Sequence, residues 1–197
     1  PGETSGYLPP IADWSGTTFP TLAFGQGMSV NAVQAADIFA TIANDGVRVP
    51  PSLVVDPTAP NVTPAGTRVV SAQTAQQVRM MLEKVVQRGG TAPMASVTGY
   101  RVGGKTGTAQ IVNPDCGCYD GGTVGSFIGM APIDNPQLVV GVTIVRPAVE
   151  QLGGELAGPV FRQVMTYALQ AQRVAPTTTA IAKGSKDSGT QMPDQSP

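Results

Sequence analysis

The chain has 197 residues, 41% of them hydrophobic, enough for one domain-sized core. Twelve Lys and Arg stand against thirteen Asp and Glu, so the net charge of -1 excludes an electrostatic grip on nucleic acid or an anionic membrane. Histidine is absent, which removes His-assisted serine and cysteine nucleophiles and every His-based zinc site; acid–base chemistry must come from Lys, Asp, Glu or Tyr.

Residues 1–29 carry Pro9, Pro10, Pro20 and several glycines among few apolar side chains, which predicts an irregular surface segment with Trp14 as a packing anchor. A helix is predicted over 32–44. Asn31 is its N-cap, Gln34 completes a capping box, and Asp45-Gly46 closes it. Its apolar face is expected to comprise Val33, Ala36, Ile38, Ala40 and Ala43. Five prolines between 47 and 70 restrict that stretch to loops and short edge strands.

Ser71 then caps a second helix, with Val78, Met81, Leu82 and Val85 at helical spacing and Gly89-Gly90 as its stop. The Met80-Met81 pair is expected to fill core space. Residues 100–111, 123–131 and 137–146 read as three strands, the last two as a hairpin. Cys116 and Cys118 fall in the loop after the first strand, where both a short-range disulfide and two free thiols remain open, and two ligands do not complete a zinc site. Tyr119 beside them is by default a surface residue, although its loop is placed to border a groove along that strand. The apolar run 138–145 is far shorter than the roughly 20 residues of a membrane helix. A last helix over 154–173 is expected to pack on the sheet through Leu156, Val160, Val164, Tyr167, Ala168 and Ala171. Residues 174–197 are too polar to offset ordering entropy and are predicted to be a disordered tail.

Lys105-Thr106-Gly107-Thr108 lies inside the first long strand, entered through Gly103-Gly104. On a pleated strand Thr106 and Thr108 project to one face and Gly107 leaves the other bare, so a ligand or backbone can approach. A cation and two hydroxyls on an open edge make a receptor for a carboxylate, and free edge N–H groups can bond an extended peptide or an oxyanion.

That tetrapeptide is similar to the third motif of penicillin-binding proteins and serine β-lactamases. Gly2-Glu3-Thr4-Ser5-Gly6-Tyr7-Leu8-Pro9, Phe24-Gly25-Gln26-Gly27, Tyr100-Arg101-Val102 before the motif and Ser126 to Pro132 after it resemble class B penicillin-binding proteins, particularly septal members. The resemblance covers roughly residues 1–173. It implies an α/β (α+β) fold: part of a penicillin-binding/β-lactamase-like transpeptidase domain, with antiparallel strands and packing helices. It further implies that Lys105 supplies positive charge, that Thr106 and Thr108 bind the substrate carboxylate, that the Thr108 N–H is half of an oxyanion hole, and that Gly107 keeps the strand open. The implied reaction is peptidoglycan D,D-transpeptidation through a serine acyl-enzyme, with stem peptide and β-lactam antibiotics as ligands. No metal or organic cofactor is called for, cell-division proteins are candidate partners, and the implied location is the extracytoplasmic side of the membrane. The rivals are a serine β-lactamase, a penicillin-sensing domain and a non-catalytic scaffold.

No Ser is followed three places later by Lys, so the S-x-x-K nucleophile is missing from this sequence. Ser29-Val30-Asn31 nominally matches S-x-N, but Asn31 is better used as a helix cap. Nucleophile, base lysine and second motif are therefore expected upstream of Pro1, and the chain alone is expected to be inactive.

Overall fold

The computed structural model describes residues 4–53, 58, 65–113, 115–148 and 152–177. Four helices are present among them: α1 (Thr18–Leu22), α2 (Ala32–Ala43), α3 (Ala72–Val86) and α4 (Gly153–Ala171). Two two-residue strands, β1 (Val47–Arg48) and β2 (Thr67–Arg68), pair antiparallel, and β3 (Gly103–Gln110), β4 (Thr123–Ala131) and β5 (Leu138–Val145) form an antiparallel sheet in the order β3-β4-β5. The α+β class, the three strands and the hairpin follow the expectation.

The caps explain where α2 and α3 begin. Asn31 Oδ1 accepts from the Gln34 N–H at 2.8 Å while Gln34 Oε1 accepts from the Asn31 N–H at 3.0 Å, the reciprocal capping box. Ser71 Oγ accepts from the Thr74 N–H at 3.0 Å. Residues 4–29 are less irregular than expected. They hold α1 and a 3-10 turn at Ile11–Asp13, with Trp14 Nε1 donating to the Pro9 carbonyl at 3.0 Å.

The core sits between the sheet and α4. Phe127 on β4 and Phe161 on α4 are fully buried, with ring centroids 4.7 Å apart, and Met165 and Leu169 continue the contact along the helix. The expected stripe on α4 is wrong. Val160, Val164 and Tyr167 are exposed and Leu156 and Ala168 half-buried, whereas Ala157, Phe161, Met165 and Leu169 face the sheet. Two interleaved apolar stripes share this helix, and the one carrying the large phenylalanine wins because burying its ring removes more apolar area from water. Met80 and Met81 are likewise exposed, not core filler, because α3 turns inward through Ala75, Arg79 and Val86. Val33 and Ile38 on α2 point outward too.

Consecutive strand residues face opposite sides. Gly104 abuts Phe127 on the α4 side and Gly103 abuts Glu83 of α3, so α3 lies on the face away from α4. Its buried Arg79 donates to the Ile42 carbonyl at 2.9 Å and pairs with Asp45 at 2.8 Å, closing the end of α2. Arg101, just before β3, forms a two-pronged pair with Glu83 at 2.8 Å for each bond. That hydrogen bond, helped by the charge of Arg101, holds the Glu83 carboxyl below the usual carboxylate range against a desolvation that pushes it up.

Residues 174–177 continue along the body, the Tyr100 hydroxyl donating to the Val174 carbonyl at 2.7 Å and the Thr177 N–H to the Gly99 carbonyl at 3.0 Å. The rest of the expected tail, 178–197, lies outside the described residues.

Candidate functional site

Strand β3 has a hydrogen-bonded neighbour on one side only among the described residues. Which backbone groups face the free side follows from the ladder. The Ile111 N–H donates to the Gly122 carbonyl at 2.8 Å, so odd-numbered residues of β3 turn their backbone groups toward β4. The N–H and C=O of Thr106 and Thr108 therefore point along the open edge.

Thr106 and Thr108 also share one face, the α4 side. The Thr108 Oγ1 accepts the Gly153 N–H at 2.9 Å, and the Thr106 Oγ1 lies 3.3 Å from the Thr91 Oγ1. Lys105 starts from the opposite face, is exposed, and curls over the open edge to donate from Nζ to the Thr106 carbonyl at 2.9 Å, with the Thr106 Oγ1 at 3.5 Å. Lys105 Nζ and the Thr106 hydroxyl thus meet at the edge although they leave the strand from different faces. Gly107 is bare for a second reason: a Cβ there would run into the Ser126 side chain on β4.

Beyond Thr108 the edge opens into a groove of about 570 Å³. One wall is Thr108, Ala109 and Gln110 of β3 with Val112 and Tyr119; the other is the segment 24–29 with Tyr7. A two-way bridge pins that far wall, Tyr7 N–H to the Ser29 carbonyl at 2.8 Å and Ser29 N–H to the Tyr7 carbonyl at 2.9 Å. Asn31 and Gln34 reinforce it, donating to the Thr4 and Ser5 carbonyls at 2.7 and 3.0 Å. Asn31 is thus occupied as cap and clamp.

Tyr119 lines the groove and is 57% exposed, so it is both a surface residue and a wall. Its loop carries a Cys116–Cys118 disulfide, which answers the open thiol question. Asp120 approaches the same two sulfurs, but disulfide sulfur is not the thiolate that metals take. Thr91, Gly153, Tyr7 and Phe24 were not singled out from sequence as site residues. Only their contacts bring them there, and a lone Thr before Ala or a Gly-Gly at the first turn of a helix carries no periodic signal.

No helix among the described residues is long and apolar enough to cross a membrane.

Residues 1–166 match the family model for the penicillin binding protein transpeptidase domain. The curated penicillin-binding protein PbpB of Mycolicibacterium smegmatis is 44% identical over 189 residues, covering 88% of this chain and 29% of that protein. The probable peptidoglycan D,D-transpeptidase PenA of Neisseria flavescens is 40% identical, over 90% of this chain and 43% of its own. Among solved structures, penicillin binding protein 3 of Mycobacterium tuberculosis complexed with aztreonam superposes at a TM-score of 0.78 with 43% identity, covering 90% of this chain and 43% of that one. The transpeptidase domain of Burkholderia pseudomallei penicillin-binding protein 3 gives 0.80 with 39% identity, over 91% and 54%. The chain spans less than half the length of the curated relatives named here. With a family model that covers most of its length, relatives at 40% identity and above, and an open lysine-threonine strand edge, the chain belongs to the transpeptidase domain family of the class B penicillin-binding proteins.

Proposed function

We propose that this chain supplies the carboxylate-binding and oxyanion-binding side of a serine D,D-transpeptidase site that cross-links peptidoglycan and is acylated by β-lactams. In that reaction a serine oxygen attacks the carbonyl of the penultimate D-alanine and the bond to the terminal D-alanine breaks. The resulting acyl ester passes to an amine of a neighbouring stem peptide. The serine is supplied by residues outside this sequence, which has no S-x-x-K.

The observation that carries the reading is that Lys105 Nζ curls over the edge to the Thr106 carbonyl with the Thr106 Oγ1 3.5 Å away, while Thr108, on the same face as Thr106, opens onto the groove and the edge has no neighbouring strand among the described residues. Lys105 provides the charge that attracts the carboxylate, and the two hydroxyls provide hydrogen bonds whose direction is set by the strand. The Thr108 N–H on the same edge is a donor for the developing oxyanion. Gly107 keeps the strand narrow where the acyl chain passes. Tyr119 on the β3 wall and Tyr7 and Phe24 on the opposite wall offer apolar surface to the acyl chain. Septal division is the proposed setting, on the extracytoplasmic side of the membrane, with the stem peptide as substrate and division proteins as partners.

The test is labelling of the full-length gene product with fluorescent penicillin. Lys105→Ala should lower the acylation rate about 100-fold or more, since removal of one charged or oxyanion-type donor costs on that order. Wild-type labelling speed in that variant would sink the assignment. Release of hydrolysed drug at a catalytic rate would favour the β-lactamase reading instead.

A further inference from the structure

Helix α4 begins without a side-chain cap, since its N-cap residue is Leu152. Its first N–H, that of Gly153, is instead satisfied by the Thr108 Oγ1 at 2.9 Å, a partner 45 positions away. We propose that this bond is a positioning device for the site: the Gly153 N–H aims the Thr108 hydroxyl as a hydrogen-bond donor toward the carboxylate of the bound peptide or β-lactam.

A hydroxyl has one proton and two lone pairs, and a backbone N–H can only donate. With the Gly153 N–H on one lone pair, the Thr108 oxygen is used there as an acceptor and its proton must turn elsewhere. Among the described residues that proton meets no protein acceptor, and Thr108 is exposed at the groove. In the free protein that proton is left to solvent, and an anion bound in the groove can take the place of the water. A hydroxyl that accepts from one donor also donates more strongly to the next, because the two bonds polarise each other. The Gly153 N–H belongs to the start of a 19-residue helix, whose aligned peptide dipoles place partial positive charge beside the Thr108 oxygen.

The backbone can come this close only because residue 153 is glycine. A Cβ there would run into the Gly107 carbonyl and approach the Ser126 nitrogen at 2.9 Å, and one on Gly154 would run into the Thr91 carbonyl and come within 2.9 Å of the Thr106 Cγ2. The glycine pair is thus the point at which the helix touches the motif strand. Gly153 itself never meets the ligand and acts through Thr108.

The inference rests on the carboxylate-binding reading above, and the experiment separates the two. Acylation rate constants of the full-length gene product are measured for benzylpenicillin and for its methyl ester, and the acid-to-ester ratio is the readout. General damage to the fold lowers both rates and leaves the ratio alone. Thr108→Val should cut the ratio about 10-fold or more and Thr108→Ser should restore most of it; an unchanged ratio in Thr108→Val overturns the carboxylate reading itself. Gly153→Ala should cut the ratio to a similar extent and, combined with Thr108→Val, add little further. Since the added methyl can disturb folding, an amide-to-ester replacement at Gly153, made by semisynthesis, deletes the N–H and adds no side-chain atom; it too should cut the ratio. If Thr108→Val lowers the ratio but the backbone ester keeps the wild-type value, Gly153 does not position the hydroxyl and the inference fails while the site reading stands.

Discussion

At the residue scale the proposed site rests on two threonines and a lysine whose side chains alternate along a strand. Pleating alone tells that Thr106 and Thr108 share a face, because the side-chain period of a strand is two. It does not tell what stands opposite them. Thr91 is the clearest case: its hydroxyl is 3.3 Å from that of Thr106, across a loop and 15 positions away. Thr91→Val keeps the shape and removes that contact, so acylation of the full-length gene product by benzylpenicillin should fall about 2- to 10-fold, the worth of one neutral hydrogen bond. An unchanged rate would show that Thr106 needs no support from Thr91. Legibility here divides along the same line, since side-chain direction is local while side-chain company is not.

Among elements, α2 and α3 were readable to within a residue or two at their starts because their caps are written in adjacent residues, Asn31 with Gln34 and Ser71 with Thr74. The buried faces were not readable. Helix α4 has two apolar stripes, and only the presence of Phe127 opposite selects Phe161 over Val160 and Val164. What joins the helices to the strands is polar. Arg79 satisfies the last carbonyls of α2 from inside α3, so Arg79→Ala should destabilise the protein by about 2 kcal/mol, the cost of losing a charge-assisted bond and stranding a carbonyl. Thermal unfolding of the full-length gene product checks it.

The Arg101–Glu83 pair ties α3 to the entrance of β3, and its pH dependence has a definite sign. Glu83 has a folded pKa below its unfolded value of about 4.3, so the pair's contribution is fully present above that value and is lost as pH falls through the lower, folded pKa. Glu83→Gln should therefore narrow the stability difference between neutral and acid pH, and equal pH slopes for wild type and variant in urea titrations would contradict the role given to this pair.

At the scale of the whole molecule, the proposed reading makes the groove beside β3 one half of a reaction site, since the sequence has no S-x-x-K serine. This chain expressed alone should take up no covalent label from fluorescent penicillin, while the full-length gene product should label; a labelled band from the chain alone would place the nucleophile within these residues. The amino-acid sequence by itself determined the number and order of the long elements, the caps of α2 and α3, the three strands and the tetrapeptide of the proposed site, because all of these rest on neighbours within a few positions. Only the tertiary structure decided which stripe of α4 is buried, that the Met80-Met81 pair is exposed, that Lys105 reaches Thr106 by crossing the edge, and that the Gly153 N–H donates to Thr108. Those outcomes depend on residues brought together from distant parts of the chain, and periodicity along one segment carries no information about the surface it will meet.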